Sequence, residues 1–252
     1  MKAIGVFGRK GGSGKTMVSH FLSHGLSELK HATVMLQTDV RTTRPPELIN
    51  TRAYMLASTR GDNSSDTDLI LQLVEKVGQI PDSVLVADGG ANRRNIDFAL
   101  AHICNLILIP TGYSPEDVSV AEHDYWELTE YVSQNGLPAE VYIVMNRWPG
   151  VTQKLSRIQQ RPWVREFLAR CERNGNLFPY YLPDMPSLLD MAHGEDPKYT
   201  PMIDSKARAF AKLVALKIGL DGGADDGKDW KDTEGDDDDG SSAPPAVLAA
   251  AE

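Results

Sequence analysis

The chain has 252 residues, two cysteines, six histidines and a net charge of −9. That length can bury a full α/β core, while Cys104 and Cys171 supply neither a disulfide framework nor a four-thiolate metal site, and the histidines lack ligand spacing. No apolar run approaches the roughly eighteen residues of a membrane span, and the N-terminus lacks signal-peptide architecture, so a cytoplasmic protein is expected.

The charge is unevenly spread. Residues 221–252 hold eleven Asp and Glu against two Lys, whereas the preceding 220 residues balance 24 basic against 24 acidic side chains. The expected organisation is therefore one domain over residues 1–220 and an acidic, disordered tail over 221–252, too poor in apolar residues to fold. Such a tail solubilises the chain or competes for a basic surface.

In chain order, Ala3–Phe7 is a short apolar run feeding the glycine-rich turn "GRKGGSGKT", and Lys15–Leu29 continues with helical spacing at Val18, Phe21, Leu22, Leu26 and Leu29. Thr33–Leu36 is a second run, leading to Asp39. Thr51–Thr59 has no assignable pattern. Asp66 is placed to cap a helix carrying Leu69, Ile70, Leu73, Val74 and Val77 on one face. Ser83–Ala87 is a third run, closed by "DGG", and Leu106–Ile109 a fourth. After it Ser114 reads as an N-cap, Pro115 as the first helical residue, and Glu116 and Asp117 as complements to the helix dipole. Val141–Met145 is a fifth, ending in Asn146. Apolar runs without alternation suit strands covered on both faces, so the expected class is α/β, a mostly parallel central sheet flanked by helices.

A strand, a glycine turn and a helix aim several backbone N–H groups and a positive helix end at one point. Gly11, Gly12, Ser13, Gly14, Lys15, Thr16 and Met17 form this phosphate cradle, with Lys15 for the β- and γ-phosphates and the Thr16 hydroxyl for Mg²⁺. Asp88, ending the third run, has the place of a magnesium-associated carboxylate. Arg9 stands where the usual loop has its first Gly, and Lys10 is an additional lysine inside the turn.

"KGGSGKT" resembles the deviant Walker A loop of the ParA/MinD family of P-loop ATPases. The likeness continues in order through "LQTDVR", "LVADGGAN", "NLILIPTGYSPEDVSVAEH", "VYIVMNR" and "LFPYYLPDMPSLLDMAHGE", covering about Met1 to Leu220. It implies ATP and Mg²⁺ as ligands and an ATP-dependent sandwich homodimer in which Lys10 reaches the partner's nucleotide. It further implies that Asp39 orients the attacking water near the metal, that Asp88 is the Walker B acid, and that Asn146, with Arg147 beside it, contacts the adenine. Pro183 would border the base, and hydrolysis would be slow and partner-stimulated.

Two departures from the family pattern stand out: Gln37 replaces the first of a pair of Asp residues, and the Pro usually following Asp88 is Gly89. Both bear on hydrolysis, and they keep open an alternative, an ATP-binding recruitment module that hardly hydrolyses and acts on a protein complex without DNA. A ligase of the dethiobiotin-synthetase type lacks an evident second polar constellation here. A redox ATPase like the nitrogenase iron protein needs cluster cysteines, whereas Cys104 and Cys171 read as core.

The final residues carry no basic amphipathic helix, which argues against a membrane partner. There is little sequence before Lys10 for a helix-turn-helix, so the short ParA type is the better match. Arg147 to Arg173 contains seven Lys or Arg against two Glu. Arg157, Arg161 and Arg165 there fall at helical spacing, and Lys206, Arg208 and Lys212 add a second basic stretch. These residues are the expected contacts to non-specific DNA. The implied role is positioning a plasmid, chromosome or protein cargo, with nucleoid association in the ATP state and a ParB-like or cargo adaptor as stimulating partner.

Overall fold

Short aliphatic runs closed by glycine or polar turns become the strands, and the longer periodic segments between them become the helices. The computed structural model describes residues 1–38, 53–59, 64–90, 94–148, 152–184 and 200–220. Asp39 and the expected tail at 221–252 lie outside the described residues, as does most of the "PDMPSLLDMAHGE" segment. The strands are β1 (Lys2–Val6), β2 (Thr33–Gln37), β3 (Met55–Ser58), β4 (Val84–Asp88), β5 (Leu106–Thr111), β6 (Glu140–Trp148) and β7 (Leu177–Pro183). They form one sheet in the order β3-β2-β4-β1-β5-β6-β7, with every pairing parallel.

Because strand side chains alternate, each strand feeds two cores. On one face Ile4, Val6, Val84 and Val86 pack with Phe21 and Leu22 of α1 (Lys15–Glu28) and with Phe210 and Val214 of the last described helix, α7 (Pro201–Lys217). On the other face Leu85, Ala87, Ile107 and Ile143 pack with residues of α2 (Ser64–Gly78), α3 (Arg94–Ala101), α4 (Pro115–Gln134), α5 (Thr152–Gln159) and α6 (Pro162–Asn174). β4 and β5 are buried along their whole length, as their unbroken apolar sequence requires. The order places β1 between β4 and β5, with α1 leaving on one face and α3 crossing on the other. Ligands of open α/β sheets bind at the carboxyl end of such a switch point.

Capping follows the sequence where its residues are local. Ser114 Oγ accepts the Asp117 N–H at 3.0 Å, Pro115 opens α4, and Glu116 and Asp117 lie in its first turn. Elsewhere the structure differs from the sequence reading. β3 occupies the unassigned stretch, four residues stabilised by pairing with β2 rather than by local pattern. α2 begins at Ser64, so Asp66 is inside its first turn and is not the cap. Arg157, Arg161 and Arg165 do not share one helix. α5 ends at Gln159 and Arg161 is the N-cap of α6, because Pro162 has no N–H to continue a helix and fits its first position. Their layer also differs: α6 packs on the sheet face opposite α7, so the two basic stretches belong to opposite sides of the subunit. Cys104 and Cys171 are free and buried in the core, and burial pushes the Cys171 thiol up to about 12.

Candidate functional site

The turn after β1 gathers the predicted phosphate-binding residues over the sheet's carboxyl edge. Gly12 and Gly14 adopt φ of 79° and 92°, and Gly14 is the left-handed N-cap of α1. A Cβ at Gly14 would also collide with the Asn146 amide, so glycine is required there on two counts. Asn146, in β6, is fully buried and donates from Nδ2 to Ser13 O at 2.7 Å, while its Oδ1 has no hydrogen-bond partner among the described residues. Arg147, at φ 61°, donates to Gly12 O at 3.3 Å. The Asn-Arg pair, expected at the base, is thus tied to the underside of the loop, and Pro183 closes β7 beside it.

The two lysines of the loop have separate surroundings. Lys15 opens α1, is buried, and donates to Lys10 O at 3.0 Å. Lys10 points outward, its Nζ 2.6 Å from Asp117 Oδ1 and 3.1 Å from Glu116 Oε1, and these carboxylates raise its pKa, Asp117 most. Thr16 is half-buried in the first turn of α1. One turn further on, Ser19 Oγ donates to Asp88 Oδ1 at 3.2 Å, so the expected Walker B carboxylate faces the start of α1. The Asp88 carbonyl accepts from Thr38 N and Oγ1 at 3.1 and 2.9 Å, fixing the end of β2 against β4. Ser19 is a site residue that sequence reading missed. Its signal was the helical i+3 spacing from Thr16.

Arg9 has a structural explanation. Its backbone N–H and Nε go to the Asp124 carboxylate of α4 at 2.9 and 2.5 Å, and Nη2 meets His123 Nδ1 at 2.7 Å. Glu127 lies 3.8 Å from the same guanidinium. His123, Asp124 and Glu127 converge closely enough to suggest a metal, with ligand atoms within 4.8 Å of one another, but the Arg9 guanidinium already supplies the positive charge among them. A glycine here would keep only the backbone N–H bond to Asp124, whereas the Arg9 guanidinium adds an ion pair to α4.

Gln37 is held in a network of its own. Ser58 Oγ donates to Gln37 Oε1 at 3.2 Å, and Gln37 Nε2 meets His20 Nε2 at 3.3 Å. That arrangement leaves His20 Nδ1 to donate to the Tyr54 hydroxyl. The amide therefore bridges β2, β3 and α1. Asp97 of α3 is a second residue that sequence reading missed: it is 6% exposed and lies against Gly89, directly after Asp88. Burial raises its pKa most, while Lys15 and the Gly8 backbone N–H oppose the rise.

Fold and loop together define a P-loop NTPase architecture: a seven-stranded parallel sheet with a glycine cradle at the central strand's carboxyl end. More narrowly, the fold is that of MinD and ParA ATPases. The chain is 13% identical to MinD in the MinC:MinD cell division protein complex of Aquifex aeolicus, with a TM-score of 0.62 over 88% of this chain and 97% of that one. It is 14% identical to a McdA variant of Cyanothece in complex with ATP, at 0.60 over 88% and 97%. To pNOB8 ParA bound to nonspecific DNA it is 13% identical, at 0.59 over 86% and 98%. No protein-family model matches the chain, and no curated protein matches its sequence. Among the described residues, no helix is long and apolar enough to cross a membrane.

Proposed function

We propose that the chain is a ParA-like ATPase that binds ATP with magnesium, closes as a sandwich dimer and hydrolyses ATP slowly to position a cargo. The observation that carries this reading is one loop bearing two lysines with separate surroundings. Lys15 is buried at the helix start, with a loop carbonyl to surrender to phosphate oxygens. Lys10 faces outward on two acids that a charge from a second subunit can replace.

The residues present fit the ligand. Gly14 lets the loop turn through the left-handed region directly over the Asn146 amide, and Thr16 offers a hydroxyl in the same turn as Lys15. Asp88 supplies a buried carboxylate already oriented by Ser19. Magnesium, when bound, draws charge from the β- and γ-phosphates. Lys15 would turn from Lys10 O to the phosphates, and Asp39 would orient the attacking water. Asn146 and Arg147 would hold the loop's shape while the base is seated near Pro183.

Dimer closure places four lysines around two nucleotides in a symmetric interface. Non-specific DNA is the proposed surface for the ATP dimer, read through Arg157, Arg161 and Arg165 on one side of the subunit and Lys206, Arg208 and Lys212 on the other. A ParB-like or cargo adaptor would stimulate turnover, and the protein would be cytoplasmic and nucleoid-associated while holding ATP. Gln37 supports a second reading: with its amide bound by Ser58 and facing His20, the position adds no carboxylate to catalysis. The protein would then be a recruitment module that holds ATP and barely hydrolyses it.

Light scattering with a slowly hydrolysed ATP analogue tests the dimer. The parent should double in mass with the analogue and not with ADP. Lys15→Ala should lose nucleotide affinity, whereas Lys10→Ala should bind nucleotide and stay monomeric. A Lys10→Ala protein that dimerises like the parent would remove the cross-subunit role, and anisotropy on unrelated duplexes with the same samples would show whether DNA follows the dimer.

A further inference from the structure

Asp97 is a carboxylate that neither the loop motif nor the charge pattern points to. It stands in the first turn of α3, the helix that follows β4 and the "DGGANR" segment. At 6% exposure it is among the most buried charged side chains described. A Cβ placed on Gly89 would come within 2.5 Å of Asp97 Oδ1 and 2.8 Å of the Phe7 ring. The carboxylate therefore fills the space where β4 ends at Asp88 and β1 turns into the phosphate loop.

Its electrical surroundings are those of the phosphate site. Burial dominates and holds its pKa well above the usual carboxylate range, with Asp88 and Asp124 adding to the rise, while Lys15 and the Gly8 backbone N–H favour the ionised form. Yet Oδ1 has no hydrogen-bond partner among the described residues. A buried acceptor without a donor is costly, and a native structure retains one where something outside the chain completes it. Phosphate oxygens are acceptors as well, so a donor is needed between them and a carboxylate, and a water is the simplest one.

We propose that Asp97 is a further positioning residue of the phosphate site, its Oδ1 accepting a hydrogen bond from a water held at the phosphate end of the loop. This rests on the reading that the loop binds nucleotide. It also accounts for Gly89: a proline or any other side chain there would push the carboxylate off its place. Gly89 and Asp97 are then one device contributed by two elements, and they return a carboxylate to the phosphate end from α3 while position 37 supplies none.

The test separates binding from turnover. Asp97→Asn keeps the shape and removes the ionisable carboxyl beside Lys15. Affinity for a fluorescent ATP analogue should hold or tighten, by up to about fivefold, since no carboxyl able to ionise is left near the phosphates. Single-turnover hydrolysis of labelled ATP, followed for hours, should fall by about tenfold or more. A rate within about twofold of the parent, or an affinity that weakens in step with the melting temperature, overturns the proposal and leaves Asp97 as packing. Where Asp97→Asn fails to fold, Gly89→Ala decides. It retains the carboxyl but displaces it, so the rate should drop while affinity stays within about threefold, and an unchanged rate overturns the proposal. A parent that binds no nucleotide overturns the phosphate-site reading itself, before any variant is compared, and this proposal with it.

Discussion

The inner and outer halves of the phosphate loop are built on different physics. The inner half, Ser13 to Lys15, is largely buried and held by hydrogen bonds to backbone carbonyls: Asn146 to the Ser13 carbonyl, Lys15 to the Lys10 carbonyl. The outer half, Arg9 and Lys10, is held by charge, Arg9 on Asp124 and Lys10 on Asp117 and Glu116, all from α4. Hydrogen bonds to backbone carbonyls fix a shape without taking up the lysine's charge in an ion pair. Ion pairs between partly exposed groups depend on whatever other charges arrive. One loop thus combines a preformed cradle with a responsive edge.

The largest effect should come from breaking the inner half. Gly14→Ala forces a Cβ into the left-handed region and onto the Asn146 amide, which cannot retreat without losing Ser13. A combined cost of about 3 kcal/mol at the cradle corresponds to roughly a hundredfold loss in nucleotide affinity. Isothermal titration with ATP and magnesium measures it, and an affinity within about threefold of the parent would mean that the cradle is not the binding site.

The anchor of the outer half comes next. In Arg9→Ala, the nearly inaccessible Asp124 carboxylate keeps the backbone N–H of residue 9 but loses the guanidinium. Stranding a buried carboxylate is destabilising, and because Arg9 is itself partly exposed the expected loss is about 2 kcal/mol, less than for a fully buried pair. Urea denaturation should register it as a lower midpoint with an unchanged slope. Adding Asp124→Asn should recover part of the loss, since no unpaired charge then remains. Equal destabilisation by the single and double variants would show that Arg9 acts through packing alone.

The two halves were also unequally legible in the sequence. The inner half was plain, because a strand, three glycines, a lysine and a threonine must lie side by side in the chain to cradle a phosphate. So were β1, β4, β5 and the cap at Ser114, where local apolar runs and a Ser-Pro pair decide the structure. The outer half was not, because Arg9 and Asp124 are 115 residues apart and only the packing of α4 against β5 and β6 brings them together. Asp97 escaped notice for the same reason: an Asp in a helical stretch reads as solvated until the fold buries it. β3 was missed because "MLAS" has too short a pattern to stand alone and exists through its pairing with β2. The basic trio at 157, 161 and 165 was misread for a different reason, since Pro162 was visible and should have ended the helix.

The smallest effect sharpens the comparison most, because it concerns the edge's response. Asp117→Asn leaves the Ser114 cap intact, since that bond uses the backbone N–H of residue 117, but removes the nearer of Lys10's two carboxylates. Glu116 remains, and it is 80% exposed at its side chain, so it holds Lys10 weakly. A pair this accessible to water is weak, because solvent screens it and two long side chains must be ordered to form it. If Lys10 must leave Asp117 to reach a second nucleotide, the variant should dimerise at an analogue concentration lower by a few-fold, up to about fivefold. Raising the salt to about 0.5 M should bring parent and variant together, because added ions weaken the parent's ion pair and leave the variant less to lose. Sedimentation across a titration of the analogue, at low and high salt, resolves a shift of that size. The opposite shift, with the variant needing more analogue, would mean that Asp117 helps to close the dimer instead of restraining Lys10, and the responsive edge would then act as part of the interface.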